Sequence, residues 1–198
     1  MRRAARAVLG LVAAMLAFAL TFAPAWATTA VERTDTDLIQ EAAIIVTGHC
    51  THLQSQWLDR TLVTIATISV SEVLKGQAGT EVTVVLPGGI DVHRRVPIAM
   101  SYPAAPEIYQ QENVLLFLTP EDRVPHGYAI VGFSQGKLTI ADNGLGQPVA
   151  SQNLSALNLQ SRTGAVSRGR SKTMLLSELR QKIQQTLAGA PPGSSARR

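Results

Sequence analysis

Disulfide bonds within the chain are excluded, because the 198-residue sequence holds a single cysteine, Cys50. Packing therefore has to stabilise the fold, and Cys50 is expected to be a small apolar side chain in a strand. Aromatic residues are also scarce, at 5%, which argues against a groove that stacks nucleic-acid bases. No glycine-rich loop leads into a helix start with a phosphate-binding lysine. We expect neither a nucleic-acid partner nor a cofactor.

Metal ligands are too few for a structural site. The run His49-Cys50-Thr51-His52 places Cys50 and His52 on one face of an extended strand and His49 on the other. Two ligands do not make a structural zinc site, and nothing places His93 or His126 beside them. The sequence therefore predicts no metal site.

Acidic residues are almost absent from the C-terminal part of the chain. Residues 161–198 contain eight Lys/Arg and one acid, whereas residues 28–160 contain seven Lys/Arg and 13 Asp/Glu. A basic segment of this kind attracts anionic partners, and a solvated tail that keeps the protein soluble is the alternative. The candidate binding residues in it are Arg168, Arg170 and Lys172.

The first 27 residues resemble a secretory signal peptide. Three arginines precede an uncharged apolar run over residues 7–22, and Ala25-Trp26-Ala27 offers small residues for cleavage. The sequence thus predicts an exported protein, periplasmic or secreted, that begins at Thr28 and has no transmembrane segment after cleavage. A retained N-terminal anchor is the alternative.

Strand patterns dominate the middle of the chain. A lead-in over 28–37 is followed by a predicted β-barrel domain over 38–141, with strands at 62–74, 82–86, 113–119, 128–133 and 137–141. The alternation of the first of these slips near Ala66-Thr67, which indicates a β-bulge or a strand buried on both faces. Residues 87–112 are expected to form a long surface loop, with an edge strand possible over 92–100. The predicted fold class is all-β, a small OB-like barrel with a C-terminal α-helix.

The C-terminal part is predicted to hold a linker over 142–170, a helix over 171–189 and a disordered basic tail over 190–198. Within the helix, apolar residues recur at helical spacing between Met174 and Leu187. Ser171 or Thr173 is the expected cap and Gly189 the expected stop. Its apolar stripe is expected to pack on the barrel, and a free amphipathic helix is the alternative.

Four short runs together resemble a group of exported bacterial proteins of unknown function: VSEVLKG at 70–76, EVTVVLPGG at 81–89, ENVLLFL at 112–118 and SQGK at 134–137. The characteristic strand of that group reads V-x-E-V-L-K-G. More distantly the chain is similar to netrin-like modules, including tissue inhibitors of metalloproteinases, which are OB-type barrels. The resemblance implies a barrel and brings no catalytic residue. Those inhibitors place an N-terminal cysteine on the zinc of the protease, and this chain has no cysteine near Thr28.

Residues 132–136, GFSQG, match the Gly-x-Ser-x-Gly pattern of many hydrolases. A nucleophile elbow requires a helix after the serine and a later histidine, but KLTIAD reads as a strand and the last histidine is His126. The order His49, Asp91, Ser134 is that of chymotrypsin-like proteases. The glycine pattern that usually precedes the serine in those enzymes has no match here, because Phe133 precedes Ser134. We therefore assign no catalytic residue, and a small secreted serine hydrolase using Ser134 remains the alternative.

A second basic cluster, His93-Arg94-Arg95, lies in the 87–112 loop. It suits an anion or an acidic partner, with a solvated loop as the alternative. The leading hypothesis is a non-enzymatic binding or interaction module of the cell envelope, whose partner is another envelope protein or an anionic envelope surface. A structural envelope protein that its basic tail holds to anionic surfaces is a further alternative, and the oligomeric state is open.

Overall fold

The computed structural model describes residues 28–189, so the predicted signal peptide (1–27) and basic tail (190–198) lie outside it. Strands account for most of the regular structure. In chain order the elements are β1 Thr28–Val31, α1 Asp35–Glu41, β2 Ile44–Leu58, β3 Thr61–Lys75, β4 Glu81–Pro87, β5 Gly89–Asp91, β6 Ile98–Met100, β7 Asn113–Glu121, β8 Gly127–Ile130, β9 Lys137–Asp142, β10 Pro148–Asn153, β11 Leu157–Gln160, β12 Val166–Arg168, β13 Ser171–Leu175 and α2 Leu176–Ala188.

Five of the strands close into a ring. The order is β2-β3-β4-β8-β7, and β7 pairs with β2 to complete it. Strands β4 and β8 run parallel, while the other four pairs are antiparallel. This is the small OB-like barrel that the sequence predicts, so the predicted fold class is confirmed.

The barrel interior is filled by alternate residues of the ring strands. Its buried members include Val46, Ile68, Val84, Leu116 and Ile130, as expected where one face of each strand points inward. Within β3 the alternation does not slip at Ala66-Thr67, because Ala66 and Ile68 both lie in the interior. A bulge does lie opposite this point, at Thr51 of β2, between the pairs Cys50–Ile68 and His52–Thr67.

The alternative, a strand buried on both faces, holds near the start of β3, since Leu62 and Val63 are both almost inaccessible. The register shifts between β2 and β3 leave Thr51, Ser71 and Leu74 unpaired, and these are the bulges. They bend two 15-residue strands around the barrel.

Three strands extend the sheet beyond the ring, in the order β9-β10-β13 from β7 outward. One face of this extension packs against both helices, and together they form a second core that includes Phe117, Leu138, Ala150, Leu179 and Ile183. The expectation that the stripe of α2 packs on the barrel sheet is thus confirmed. No helix within residues 28–189 is long and apolar enough to cross a membrane.

The prediction of a linker over 142–170 is wrong, because β10, β11 and β12 lie in that range. These strands are rich in Ser, Asn and Gln, and only a few apolar side chains such as Ala150, Leu157 and Leu159 are buried. So sparse an apolar pattern resembles loop composition. The lead-in at 28–37 is also structured: β1 pairs in parallel with β11, and β12 flanks β11 on its other side.

The start of the C-terminal helix also differs from the prediction. Ser171 and Thr173 belong to β13, and the N-cap position is Leu175, which makes no side-chain capping bond. The helix stops at Gly189 as expected, with the Gly189 amide bonded to Gln185 O.

The Leu-Lys-Gly of the V-x-E-V-L-K-G run joins β3 to helix α1. Lys75 Nζ donates to three carbonyls at the C-terminal end of α1, those of Ile39 (2.7 Å), Gln40 (3.1 Å) and Ala42 (2.5 Å). Carbonyls at the C-terminal end of a helix lack intrahelical hydrogen-bond partners and carry partial negative charge. A lysine ammonium there supplies the missing donors and interacts favourably with that charge. Gly76 follows with φ +75°, and a Cβ on it would lie 2.5 Å from Ala43 O. The motif is therefore structural.

Candidate functional site

A polar cavity lies on the face of the β9-β10-β13 extension that is opposite the helices. The strand register sets Thr139, Ser151 and Thr173 side by side across the three strands, and Asn153 opposite Ser171 in the next row. Because side chains alternate, the neighbouring residues such as Ala150 point into the helix-covered core. One sheet face is consequently apolar and the other is a floor of hydroxyls and amides.

The walls of the polar cavity come from the loop after β6 and from the 3-10 turn at Phe133–Gly136. They contribute Tyr102, Glu107, Tyr109 and Ser134, and the cavity has a volume of about 590 Å³. That volume falls within the range of about 300–1,000 Å³ that is usual for small-ligand sites.

An ion pair that is mostly buried lies beside the floor. Glu112 Oε1 accepts hydrogen bonds from Lys137 Nζ (2.5 Å) and Thr139 Oγ1 (2.6 Å), and Oε2 accepts one from the Tyr109 amide (2.9 Å). Burial alone raises the pKa of Glu112, but these bonds outweigh it and hold the pKa below its ordinary value of 4.5. Glu112 and Lys137 come from the ENVLLFL and SQGK runs, so these motifs meet here as a structural pair.

The GFSQG segment forms the 3-10 turn, entered through Gly132 and Phe133 at positive φ. The strand predicted at 128–133 accordingly ends at Ile130, and β9 follows the turn as expected. Gln135 is almost fully buried, accepts a bond from the Arg33 amide and donates to Val31 O. It thereby ties β1 to the barrel.

The chymotrypsin-like order is not assembled as a hydrogen-bonded triad in the described chain. Among residues 28–189, no hydrogen bond joins Ser134 Oγ to a histidine ring or joins Asp91 to one. The carboxylate of Asp91 instead accepts from Trp57 Nε1, the His93 amide and Arg94 Nε, which hold its pKa below the ordinary value.

The predicted cluster His93-Arg94-Arg95 lies at the tip of a hairpin formed by β5 and β6. A single edge strand over 92–100 is therefore not observed. Arg94 is held by Asp91 at 2.9 Å and lies over the Trp57 ring at 5.0 Å, a cation–π contact. Three apolar side chains beside it are largely exposed: Ile90 58%, Val92 63% and Val96 71%.

The other predicted basic residues lie together in a basic groove of about 700 Å³. Arg168, Arg170 and Lys172 line it with Lys182 and Arg33, against two acidic residues, Glu32 and Asp35. The structure thus brings the three tail candidates together, and His93, Arg94 and Arg95 do not line this groove.

Two of the groove lysines are paired. Asp35 accepts bonds from Lys172 (2.7 Å) and Lys182 (2.5 Å), so it links α1 to β13 and α2. Burial raises the pKa of Asp35, and the two lysines outweigh that effect so that the pKa is lowered overall. Arg168 and Arg170 are exposed, and no carboxylate of the described residues lies within ion-pair distance of either. Arg168 Nε donates to Ser155 O at 3.1 Å, which leaves its terminal N–H groups for a ligand.

Cys50 and His52 do not share a face, contrary to the sequence prediction. The bulge at Thr51 shifts the alternation, so Cys50 is buried in the barrel while His52 is exposed. Burial also raises the pKa of the Cys50 thiol, which disfavours the thiolate that binds metals. Within residues 28–189 no three His, Cys, Asp or Glu side chains are grouped as a metal site.

Sequence reasoning missed the polar cavity, although one signal for it was present. The polar residues that face the cavity recur at every second position along β9 and β10, as in Lys137, Thr139 and then Ser151, Asn153. Reading 142–170 as a linker concealed this alternation.

Comparison of the chain with protein-family models, with curated proteins and with solved structures finds no match. The function is therefore argued from the geometry of this chain.

Proposed function

We propose that this protein is an exported, non-enzymatic binding module of the cell envelope, and that it holds an anionic partner in the basic groove. The observation that supports the proposal is the pair of exposed arginines, Arg168 and Arg170, which project from one side of a groove without a carboxylate partner in the described chain. Export is inferred from the arginine-led apolar segment at residues 1–27.

The backbone that carries these arginines is fixed. Gly169 between them is buried, its amide donates to Leu157 O at 2.8 Å, and a Cβ on it would lie 2.3 Å from Leu154 O. Because the chain passes so close to Leu154, the two flanking arginines start from a defined position. Such preorganisation reduces the entropy that binding has to overcome.

The chemistry of the partner follows from the side chains. An arginine guanidinium offers parallel N–H groups that match carboxylate or phosphate oxygens. Lys172 and Lys182 already pair with Asp35, so they contribute charge to the groove and Arg168 and Arg170 supply the direct contacts. An acidic segment of another envelope protein and an anionic envelope surface both present the required oxygens.

Charge reversal tests the groove. We expect Arg170→Glu to weaken binding of soluble polyglutamate and of phosphatidylglycerol vesicles by about tenfold or more, because a like charge replaces an attractive one. Arg60→Glu is the matched control, since Arg60 is an exposed arginine in the β2–β3 turn that does not line the groove. Titration at two salt concentrations measures both affinities, and loss on one probe alone identifies the source of the anion.

If Arg60→Glu and Arg170→Glu weaken binding equally, net charge acts and the groove does not. If Arg170→Glu and Arg168→Glu both bind as the wild type does, the groove proposal is wrong.

Attachment to an anionic membrane surface is a second candidate, and the β5–β6 hairpin favours it. Exposed valines beside arginines suit the boundary between anionic headgroups and acyl chains. We expect the double variant Val92→Asp, Val96→Asp to lose about tenfold or more of its affinity for phosphatidylglycerol vesicles, since each valine is worth about 1.5 kcal/mol when buried.

Leu145→Asp is the control for the hairpin. Leu145 is 82% exposed in the turn between β9 and β10 and has no basic neighbour in its turn. Equal sedimentation of wild type and the valine variant with the vesicles would remove this candidate and leave the groove proposal intact.

A further inference from the structure

We infer that the polar cavity is a binding site for a neutral saccharide. The inference is independent of the basic groove, because a different set of side chains carries it. Its starting point is the floor, where Ser151 and Thr173 present hydroxyls on two adjacent strands. They lie beside Thr139, whose hydroxyl is already bonded to Glu112 and Lys137. Adjacent strands lie about 4.7–4.9 Å apart, a spacing that hydroxyls on opposite sides of one sugar ring can reach.

The hydrogen-bonding capacity of the cavity is suited to a polyol. Hydroxyl groups both donate and accept, and amides carry one group of each kind. Within residues 28–189, Ser134 Oγ and Thr173 Oγ1 make no hydrogen bond, and Ser151 Oγ makes only a long one, of 3.4 Å, to Thr139 O. The cavity therefore retains unused donors and acceptors of both kinds, as each hydroxyl of a sugar requires.

The charges of the lining point to a neutral ligand. Its charged members are Glu107 and Lys137. Lys137 is paired with Glu112 at 2.5 Å, and Glu107 accepts the Tyr109 hydroxyl at 2.5 Å. No unpaired cation of the described lining is left to select a phosphate or carboxylate, in contrast with the basic groove.

Tyr109 forms one wall of the cavity, and hydrogen bonds hold both its backbone amide and its ring hydroxyl in place. The Tyr109 amide donates to Glu112 Oε2 at 2.9 Å and its hydroxyl donates to Glu107, while 62% of the residue stays exposed. Tyr102, 39% exposed, lies on the same loop side. An exposed aromatic ring beside neutral hydrogen-bonding groups matches the amphipathic surface of a sugar, whose C–H face is apolar and whose edge is polar.

Other ligand classes fit this lining less well. An apolar molecule would bury the floor hydroxyls without partners, which costs free energy for each one. A divalent cation would require several carboxylate oxygens, and both carboxylates near the floor are already engaged.

The test is titration of the full chain with N-acetylglucosamine tetramer and maltotetraose, with inorganic phosphate as the anionic comparison. We expect at least one glycan to bind with a dissociation constant in the micromolar to millimolar range and phosphate not to compete. Thr173→Val, which removes one floor hydroxyl and keeps the side-chain shape, should weaken glycan binding about three- to tenfold.

Thr29→Val is the matched control, because Thr29 is also an exposed strand threonine and does not line the cavity. Tyr109→Ala should weaken binding about five- to tenfold, and melting curves are measured to check that the variants stay folded. The inference is overturned if neither glycan binds at millimolar concentration, or if Thr173→Val and Tyr109→Ala bind as tightly as Thr29→Val does. A chain that binds polyglutamate and no glycan would keep the groove proposal and lose this one.

Discussion

Replacing Lys75 by methionine removes the ammonium group that closes the end of helix α1 and keeps most of the apolar stem. The variant loses three hydrogen bonds to the carbonyls of Ile39, Gln40 and Ala42. A hydrogen bond to a charged group contributes about 1.5–3 kcal/mol when measured alone. The three share one ammonium, and water can reach part of the vacated space, so we expect a total loss of about 2–3 kcal/mol.

For a domain of this size, 1 kcal/mol corresponds to about 2–4 °C, so the melting temperature of Lys75→Met should fall by about 4–12 °C. Thermal and urea unfolding followed by circular dichroism measures the change. Arg60→Met is the control, because it removes an exposed cation for which the described chain shows no ion pair. It should change the free energy of unfolding by less than about 0.5 kcal/mol. If Lys75→Met is as stable as Arg60→Met, the interpretation of the Leu-Lys-Gly motif as a helix closure is refuted.

The remaining predictions concern the ion pair, a glycine and the serine. The lowered pKa of Glu112 contributes stability that is present above pH 4.5 and is lost as the pH falls through the folded-state pKa. The difference in unfolding free energy between wild type and Glu112→Gln should therefore shrink in acid. A difference that does not depend on pH would contradict this prediction. Gly76→Ala should destabilise by more than 1 kcal/mol in urea titrations, because its backbone has positive φ and Ala43 O lies where the Cβ would be. A fluorophosphonate probe should label neither wild type nor Ser134→Ala. Labelling of the wild type but not of Ser134→Ala would contradict this and favour the serine hydrolase alternative.

The barrel was predictable because its strands have the composition that the ring demands. Val82, Val84 and Leu86 on β4 and Val114, Leu116 and Leu118 on β7 alternate into one interior, and β-branched or apolar residues at this spacing indicate strands from sequence alone. The stripe of α2 was visible for the same reason.

The sheet extension was not predictable in this way. Ser151 and Asn153 alternate with Ala150 and Gln152, and a small alanine gives a weak periodic signal although it is completely buried. The register that sets Ser151 beside Thr139 and Thr173 depends on partners elsewhere in the chain.

The basic groove was predictable in part. The excess of Lys/Arg after residue 160 identified Arg168, Arg170 and Lys172, because local charge density is a property of the sequence. The salt bridge of Lys172 with Asp35 joins residues 137 positions apart, and only the fold reveals that this lysine is already paired.

The parallel pairing of β1 with β11 has a consequence for the order in which the molecule assembles. Thr28 lies opposite Leu157, so the first described strand finds its partner 129 residues later in the chain. During synthesis β1 emerges long before β11 and has no strand to pair with. Contacts of such long range form late and slow folding. The barrel can close before β1 docks. Strand β1 is therefore expected to be the last strand to acquire protection from hydrogen exchange.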